Sequence, residues 1–195
     1  MGSTLHATKR LLLDTGLAMM LERGYNDLGI QALLEASGVP RGSFYHHFRD
    51  KEDFALQVVD LYMVEVHANL DACLRDRSSP PLMRIRGFLE TTRENYRDQG
   101  YLGCLLGGLG QELSGVNTTF RRKIQDCFST IADRFAECLD EARERGDIPA
   151  TSDTRQMADL LIDCWEGAAL RTRLRRDAQP LETMLDFYFS KVAAV

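Results

Sequence analysis

No run of apolar residues in the chain approaches the roughly 18 needed to cross a bilayer, so a membrane-spanning protein is not expected. The opening, "MGSTLHATKR", has no apolar h-region and carries His6 where a myristoylation signal wants Ser or Thr. A soluble, cytoplasmic protein is the expectation. Paired cysteines are also missing. The five (Cys73, Cys104, Cys127, Cys138, Cys164) are scattered, form no C-x-x-C pair and have no zinc-ligand spacing with histidine, so neither a disulfide framework nor a metal site is expected. No Ser/His/Asp set or carboxylate pair stands at a suggestive spacing, so the chain does not read as an enzyme. Val- or Ile-rich alternation is absent, which removes strands from the expected fold.

What is present reads as helix after helix, in a chain 44% hydrophobic and 27% charged. Leu12, Leu13, Gly16, Leu17 and Met20 recur at helical steps, and Gly24 closes that helix as a left-handed C-cap would. Short helices are predicted over about 30–36 and 41–48, separated by "SGVP". Asp50 with Asp53 resembles a capping box opening a long helix to about residue 75. Ser79 is read as the N-cap of the next helix, with Pro80 at its first position, running to about Gln99 and stopped by Gly100. A long amphipathic helix follows from "NTTFRRK" to Gly146, then a capped start at Asp153 with Gln156. Two apolar stripes end the chain: Met157, Leu160, Leu161, Cys164, Trp165, Ala168, and past Pro180 Leu181, Met184, Leu185, Tyr188, Val192. They suit an antiparallel pair that closes a core or seals a self-associating four-helix seam.

The segment "LGIQALLEASGVPRGSFYHHFRDKEDF" (28–54) has the proportions of a helix-turn-helix, with Gly38 suited to a positive φ and Val39 to plugging the space between helices. Up to Lys51 there are six Lys/Arg against five acids, leaving +1, while the rest of the chain carries −6 of the total −5. That split permits a DNA-contacting end on an acidic body. "GVPRGSFYHHFRDKEDF" resembles the DNA-binding signature of the TetR family of transcriptional regulators. The resemblance implies an all-α homodimer: an N-terminal three-helix helix-turn-helix head, here residues 1–50, and a C-terminal helical ligand-binding and dimerisation body, residues 51–195. It implies a palindromic double-stranded DNA operator, a small-molecule inducer, and no membrane partner or cofactor.

Carried over to this sequence, Arg41, Gly42 and Ser43 lead the recognition helix, and Tyr45, His46 and Lys51 contact the phosphate backbone. Gln31 reaches a base or phosphate, and His47 is either a contact or half of a solvated pair. Phe44 and Phe48 fall on the core side. One departure is visible: Leu28-Gly29 stands where the family usually begins its second helix with Thr or Ser, so a side-chain phosphate contact is missing there. A helical interaction module without DNA binding would have to produce this string by chance.

"GYLGCLLGGLGQELSG" (100–115) is the chain's other unusual stretch, with six glycines in sixteen positions. It lacks the Lys-Ser/Thr of a phosphate loop and the spacing of a dinucleotide fingerprint. Gly103, Gly107 and Gly110 at steps of four and three are read as one bare helical face that a helix or ligand can approach closely. Together with "WEGAALRTRL" (165–174), the stretch resembles the TetR subgroup similar to the N-ethylmaleimide-reductase repressor and the acrylate-responsive repressor, which respond to electrophilic or unsaturated compounds. Cys104 matches that subgroup's motif cysteine and is expected in the first turn of a helix, where a thiolate is stabilised. It is either the reactive sensor or a small pocket-lining residue. Arg173 stands where subgroup members often carry Lys, and a guanidinium cannot act as a nucleophile but can hold a thiolate or carboxylate. Tyr101, Gly107 and Trp165 complete the ligand-site candidates; Phe88 and Tyr96 are as readily ordinary core.

Overall fold

The computed structural model describes residues 2–193, so the extreme ends of the two predicted domains, Met1 and Val195, lie outside the described residues. Nine α-helices make up the described chain, with no strand among them: α1 Gly2–Arg23, α2 Ile30–Ser37, α3 Arg41–His47, α4 Lys51–Leu74, α5 Pro81–Asp98, α6 Leu105–Leu113, α7 Thr118–Arg145, α8 Thr154–Arg175 and α9 Gln179–Phe187. A π-helical turn, Tyr188–Val192, continues α9. Contacts divide the chain into two compact units, residues 1–65 with 105–124, and residues 66–104 with 125–195.

In the first unit α1, α2 and α3 pack on one another, and α6 packs on α1. Gly38 (φ +65°) ends α2; its N–H donates to Glu35 O and that of Val39 to Leu34 O, the paired bonds of a Schellman turn. Val39 is buried in that turn, which fixes the angle at which α3 leaves. Phe44, Phe48 and Phe54 form the centre, their ring centroids 4.9 to 5.5 Å apart. A glycine inside α1 makes room for them: a Cβ on Gly16 would stand 2.3 Å from Phe54 Cζ. Asp50 Oδ1 accepts from Asp53 N–H at 2.8 Å, and Asp53 Oδ2 reaches back to Arg49 N–H at 3.0 Å, so the predicted capping box forms one residue displaced on its return arm.

The second unit buries Leu70, Phe88, Tyr96, Phe135, Trp165 and Tyr188 in one core. Asp153 caps α8 through Gln156 N–H at 3.0 Å, as its spacing predicts. The cap of α5 is shifted. Pro80, not Ser79, occupies the N-cap position and Pro81 begins the helix, because two successive prolines leave the first without helical ψ (148°). The α8 stripe also divides. Ala158, Leu161, Trp165, Ala169 and Thr172 form the buried face, while Leu160, Leu170 and Leu174 turn outward with Phe187 of α9. Arg84, only 5% exposed, bonds Leu74 O at 2.5 Å and Glu141 at 2.6 Å, tying the last turn of α4 to α7 within this unit. Burial pushes the neighbouring Cys138 thiol up to about 11, against the opposing pull of Arg84, which leaves it an inert core group.

Candidate nucleic-acid interface and sensing loop

Helix α3 places its apolar side, Phe44, in the core and its polar side outward: Arg41, Gly42, Tyr45 and His46 are exposed, Ser43 and His47 half-buried. Nothing inside the protein requires a glycine at position 42, where a Cβ would meet no atom within 4 Å. Tyr45 is 53% exposed, with its ring edge-on to Phe44 at 5.2 Å. Gln31, Arg41, Tyr45 and Lys51 line one concavity of about 780 Å³ with Asn26 and Gly29. Gly29 caps α2 without any side-chain bond, so the helix opens on backbone N–H groups as the Leu28-Gly29 departure predicts.

Lys51 is more tightly held than a bare phosphate contact would be. Its Nζ donates to Asn26 O at 3.3 Å and sits 4.4 Å above the Tyr25 ring, and burial lowers its pKa. An ammonium has three donors, so that bond leaves others to face outward. The His47 pKa is lowered, first by burial and then by His46, Lys9 and His6. The start of α1 therefore adds positive charge to the recognition helix, a contribution that the motif string, read alone, does not contain.

Glu112 of α6 is a second residue that sequence reasoning missed. Its carboxylate accepts from the N–H groups of Tyr25 (2.8 Å) and Asn26 (2.6 Å), clamping the turn between α1 and α2. Gly24 (φ +83°) makes this possible, since a Cβ there would lie 2.7 Å from Glu112 Oε2. The bonds span 86 and 87 residues, so no local pattern could announce them.

The glycine-rich stretch begins as a strap, not a helix face. Gly100 (φ +72°), Tyr101 (φ +63°) and Gly103 (φ +82°) are left-handed, and α6 starts only at Leu105. Gly103 thus shares no helical face with Gly107 and Gly110, and Cys104 precedes the first turn rather than sitting in it; the left-handed φ at 103 delays the helix. Residues 100–104 run antiparallel along one side of α8. Arg176 donates to Gly100 O at 2.6 Å, Arg173 to Leu102 O at 3.0 Å, and Gly103 faces Ala169 O, 3.7 Å from where its Cβ would be. One turn further back, the Cys104 thiol donates to the carboxylate of Glu166. Positions 166, 169 and 173 are spaced three and four apart, so they share a face of α8.

Burial raises the half-buried Glu166 carboxyl to about 7 from an ordinary 4.5, while the Cys104 bond pulls it down. Sequence reasoning singled out Cys104 and Arg173 and passed over Glu166, although it lies inside the quoted "WEGA" string. Of the other candidates, Tyr101 is half-buried in the strap, and Trp165 is buried 6.0 Å from the Tyr96 ring. Phe88 and Tyr96 are buried core of the same unit, whereas Gly107 belongs to α6 in the first unit. Among the described residues no group of three or more His, Cys, Asp or Glu is placed to hold a metal ion, and no helix is long and apolar enough to cross a membrane.

A helix-turn-helix whose second helix turns a polar face outward, in a chain with only helices among its described residues, defines a class: the helix-turn-helix transcriptional regulators. Residues 12–58 match the family model of bacterial regulatory proteins, tetR family, and residues 81–188 match the tetracyclin repressor-like C-terminal domain. The chain belongs to the TetR family. It is 36% identical to the transcriptional regulator AcuR of Cereibacter sphaeroides over 88% of this chain and 79% of that protein. It is 29% identical to the repressor NemR of Escherichia coli K12 over 93% and 92%. Among solved structures it resembles a TetR regulatory protein from Rhodobacter sphaeroides (TM-score 0.89, 34% identity, 95% and 98% covered). It also resembles the reduced form of E. coli NemR (TM-score 0.84, 28% identity, 96% and 97% covered).

Proposed function

We propose that this regulator represses transcription by binding a palindromic operator as a homodimer, and that a small electrophile releases it by engaging Cys104. The head is residues 1–50 and the ligand-binding and dimerisation body residues 51–195. Arg41, Gly42 and Ser43 form the leading end of the recognition helix, with Arg41 reading bases; Tyr45, His46 and Lys51 hold phosphates, with Gln31 and His47 beside them. The inducer meets Cys104 with Tyr101, Trp165 and Arg173. The body pairs through α8 and α9, whose outward Leu174 (71% exposed) and Phe187 (63%) give a second copy apolar surface to cover. A cytoplasmic, non-enzymatic regulator fits these roles.

The observation that carries the reading is the placement of Cys104, a thiol bonded to an acid in a strap with three left-handed residues, Gly100, Tyr101 and Gly103, held on α8 by two arginines. One relative is described in a reduced form, a property of that protein that accords with a thiol sensor. The test is a gel shift on the DNA upstream of the protein's own gene, with and without N-ethylmaleimide. Release is expected from the native protein and retention from Cys104→Ser. Equal release from both would leave a non-covalent inducer, and no binding at all would remove the repressor reading.

A further inference from the structure

The geometry points to Glu166 as the proton acceptor that activates the Cys104 thiol toward carbon electrophiles. This rests on the reading of Cys104 as the sensing group. The strap runs in register along α8, so that Gly100, Leu102, Gly103 and Cys104 meet Arg176, Arg173, Ala169 and Glu166 in turn. Two guanidinium-to-carbonyl bonds fix the loop, and the fixed loop delivers the sulfur to a carboxylate. A structural contact would be served as well by a serine or an amide at 166. A half-buried acid facing a thiol is a poor choice for stability alone, because its ionised form is desolvated.

The balance at Glu166 is set by burial and by the thiol. At the end of the same helix, Arg173 and Arg176 donate to the strap carbonyls of Leu102 and Gly100. The carboxyl therefore sits near 7, where ionised and protonated forms are both populated at neutral pH. That is the range in which a general base transfers protons most effectively.

With an activated alkene the step balances as follows. The Glu166 carboxylate takes the thiol proton as a sulfur electron pair forms a bond to the β-carbon. The π pair moves onto the conjugated carbonyl as an enolate. The proton then passes from Glu166 to the α-carbon, leaving a thioether and a restored carboxylate. No oxidant or reductant is consumed.

The experiment follows N-ethylmaleimide labelling of Cys104 by peptide mass spectrometry in the full-length protein, from about pH 5.5 to 9, alongside DNA release measured by fluorescence anisotropy. Because ionised Glu166 is the competent form, the native rate is expected to rise through pH 7 and flatten before the ordinary thiol range of about 8.5. Glu166→Gln should lose the inflection near 7 and label Cys104 about 10-fold or more slowly at neutral pH, and Glu166→Asp should restore the inflection. A Glu166→Gln profile superimposable on the native one overturns the proposal, even if labelling still releases DNA and the thiol-sensor reading stands. An inflection that depends on Glu166, with DNA still bound after labelling, upholds the proposal and removes the sensor reading instead.

Discussion

Substituting Gly16 with alanine sets two effects of opposite sign against each other. Alanine in a helix interior is favoured over glycine by about 1 kcal/mol, so helix propensity alone predicts a more stable protein. Against this, the new methyl would lie 2.3 Å from Phe54 Cζ, 2.8 Å from Cε1 and 3.3 Å from Val58 Cγ2. Carbon atoms in contact prefer about 3.5–4.0 Å, so the ring or the helix must move by more than an ångström. Phe54 is fully buried between Phe44 and Phe48, and it has no open side to retreat to. Overpacking of this kind costs about 1–3 kcal/mol and occasionally more, and here the upper part of that range applies. The expected net effect is a loss of about 1–2 kcal/mol, a fall in Tm of roughly 2–8 °C for a chain of this size. Gly87→Ala in α5 is the control. A Cβ there meets nothing within 4 Å, so the propensity gain should appear unopposed as a rise in Tm. Thermal unfolding by circular dichroism compares the two. A Gly16→Ala protein as stable as Gly87→Ala would refute the packing argument.

Arg41→Ala should cost about 1–3 kcal/mol in operator affinity and relax base preference, while Lys51→Ala should weaken all DNA alike and reduce the salt slope by about 1; titrations of operator and scrambled DNA against salt separate them. An Arg41→Ala protein with unaltered preference would take base reading away from that residue. Glu166 should also make stability fall as pH rises. Its folded pKa lies above the ordinary value, so the folded state holds the proton more tightly, and stability present below about 4.5 is lost progressively up to about 7. The full drop is about 3 kcal/mol. Urea unfolding of Glu166→Gln should show a flatter dependence across that window, and an unchanged slope would argue against a buried, proton-binding acid at 166.

The local devices were legible in the sequence because their causes are local. Gly38, Gly146 and Asp153 act through residues within five positions of themselves, and each closes or opens a helix where its pattern predicts. The polar face of α3 was legible for the same reason: Phe44 and Phe48 mark the inner side, and Arg41 and Tyr45 follow as the outer one. Gly103 shows where periodicity misleads. A spacing of four from Gly107 fits a helix, yet a run of glycines equally permits the left-handed φ that stops one, and the choice is made by Arg173 and Arg176, some 70 residues downstream.

Glu112 and Glu166 were hidden for a further reason. On a helical wheel a lone carboxylate reads as a solvated position, since its partner is a backbone N–H or a thiol that carries no charge and leaves no complementary residue to search for. Both are nonetheless placed to matter. Cys104 meets Glu166 immediately before α6 begins, and Glu112 in the last turns of that same helix holds Tyr25 and Asn26, next to the Lys51 side chain. Helix α6 begins at Leu105, directly after the thiol in sequence, and Glu112 near its other end holds the turn at Tyr25 and Asn26.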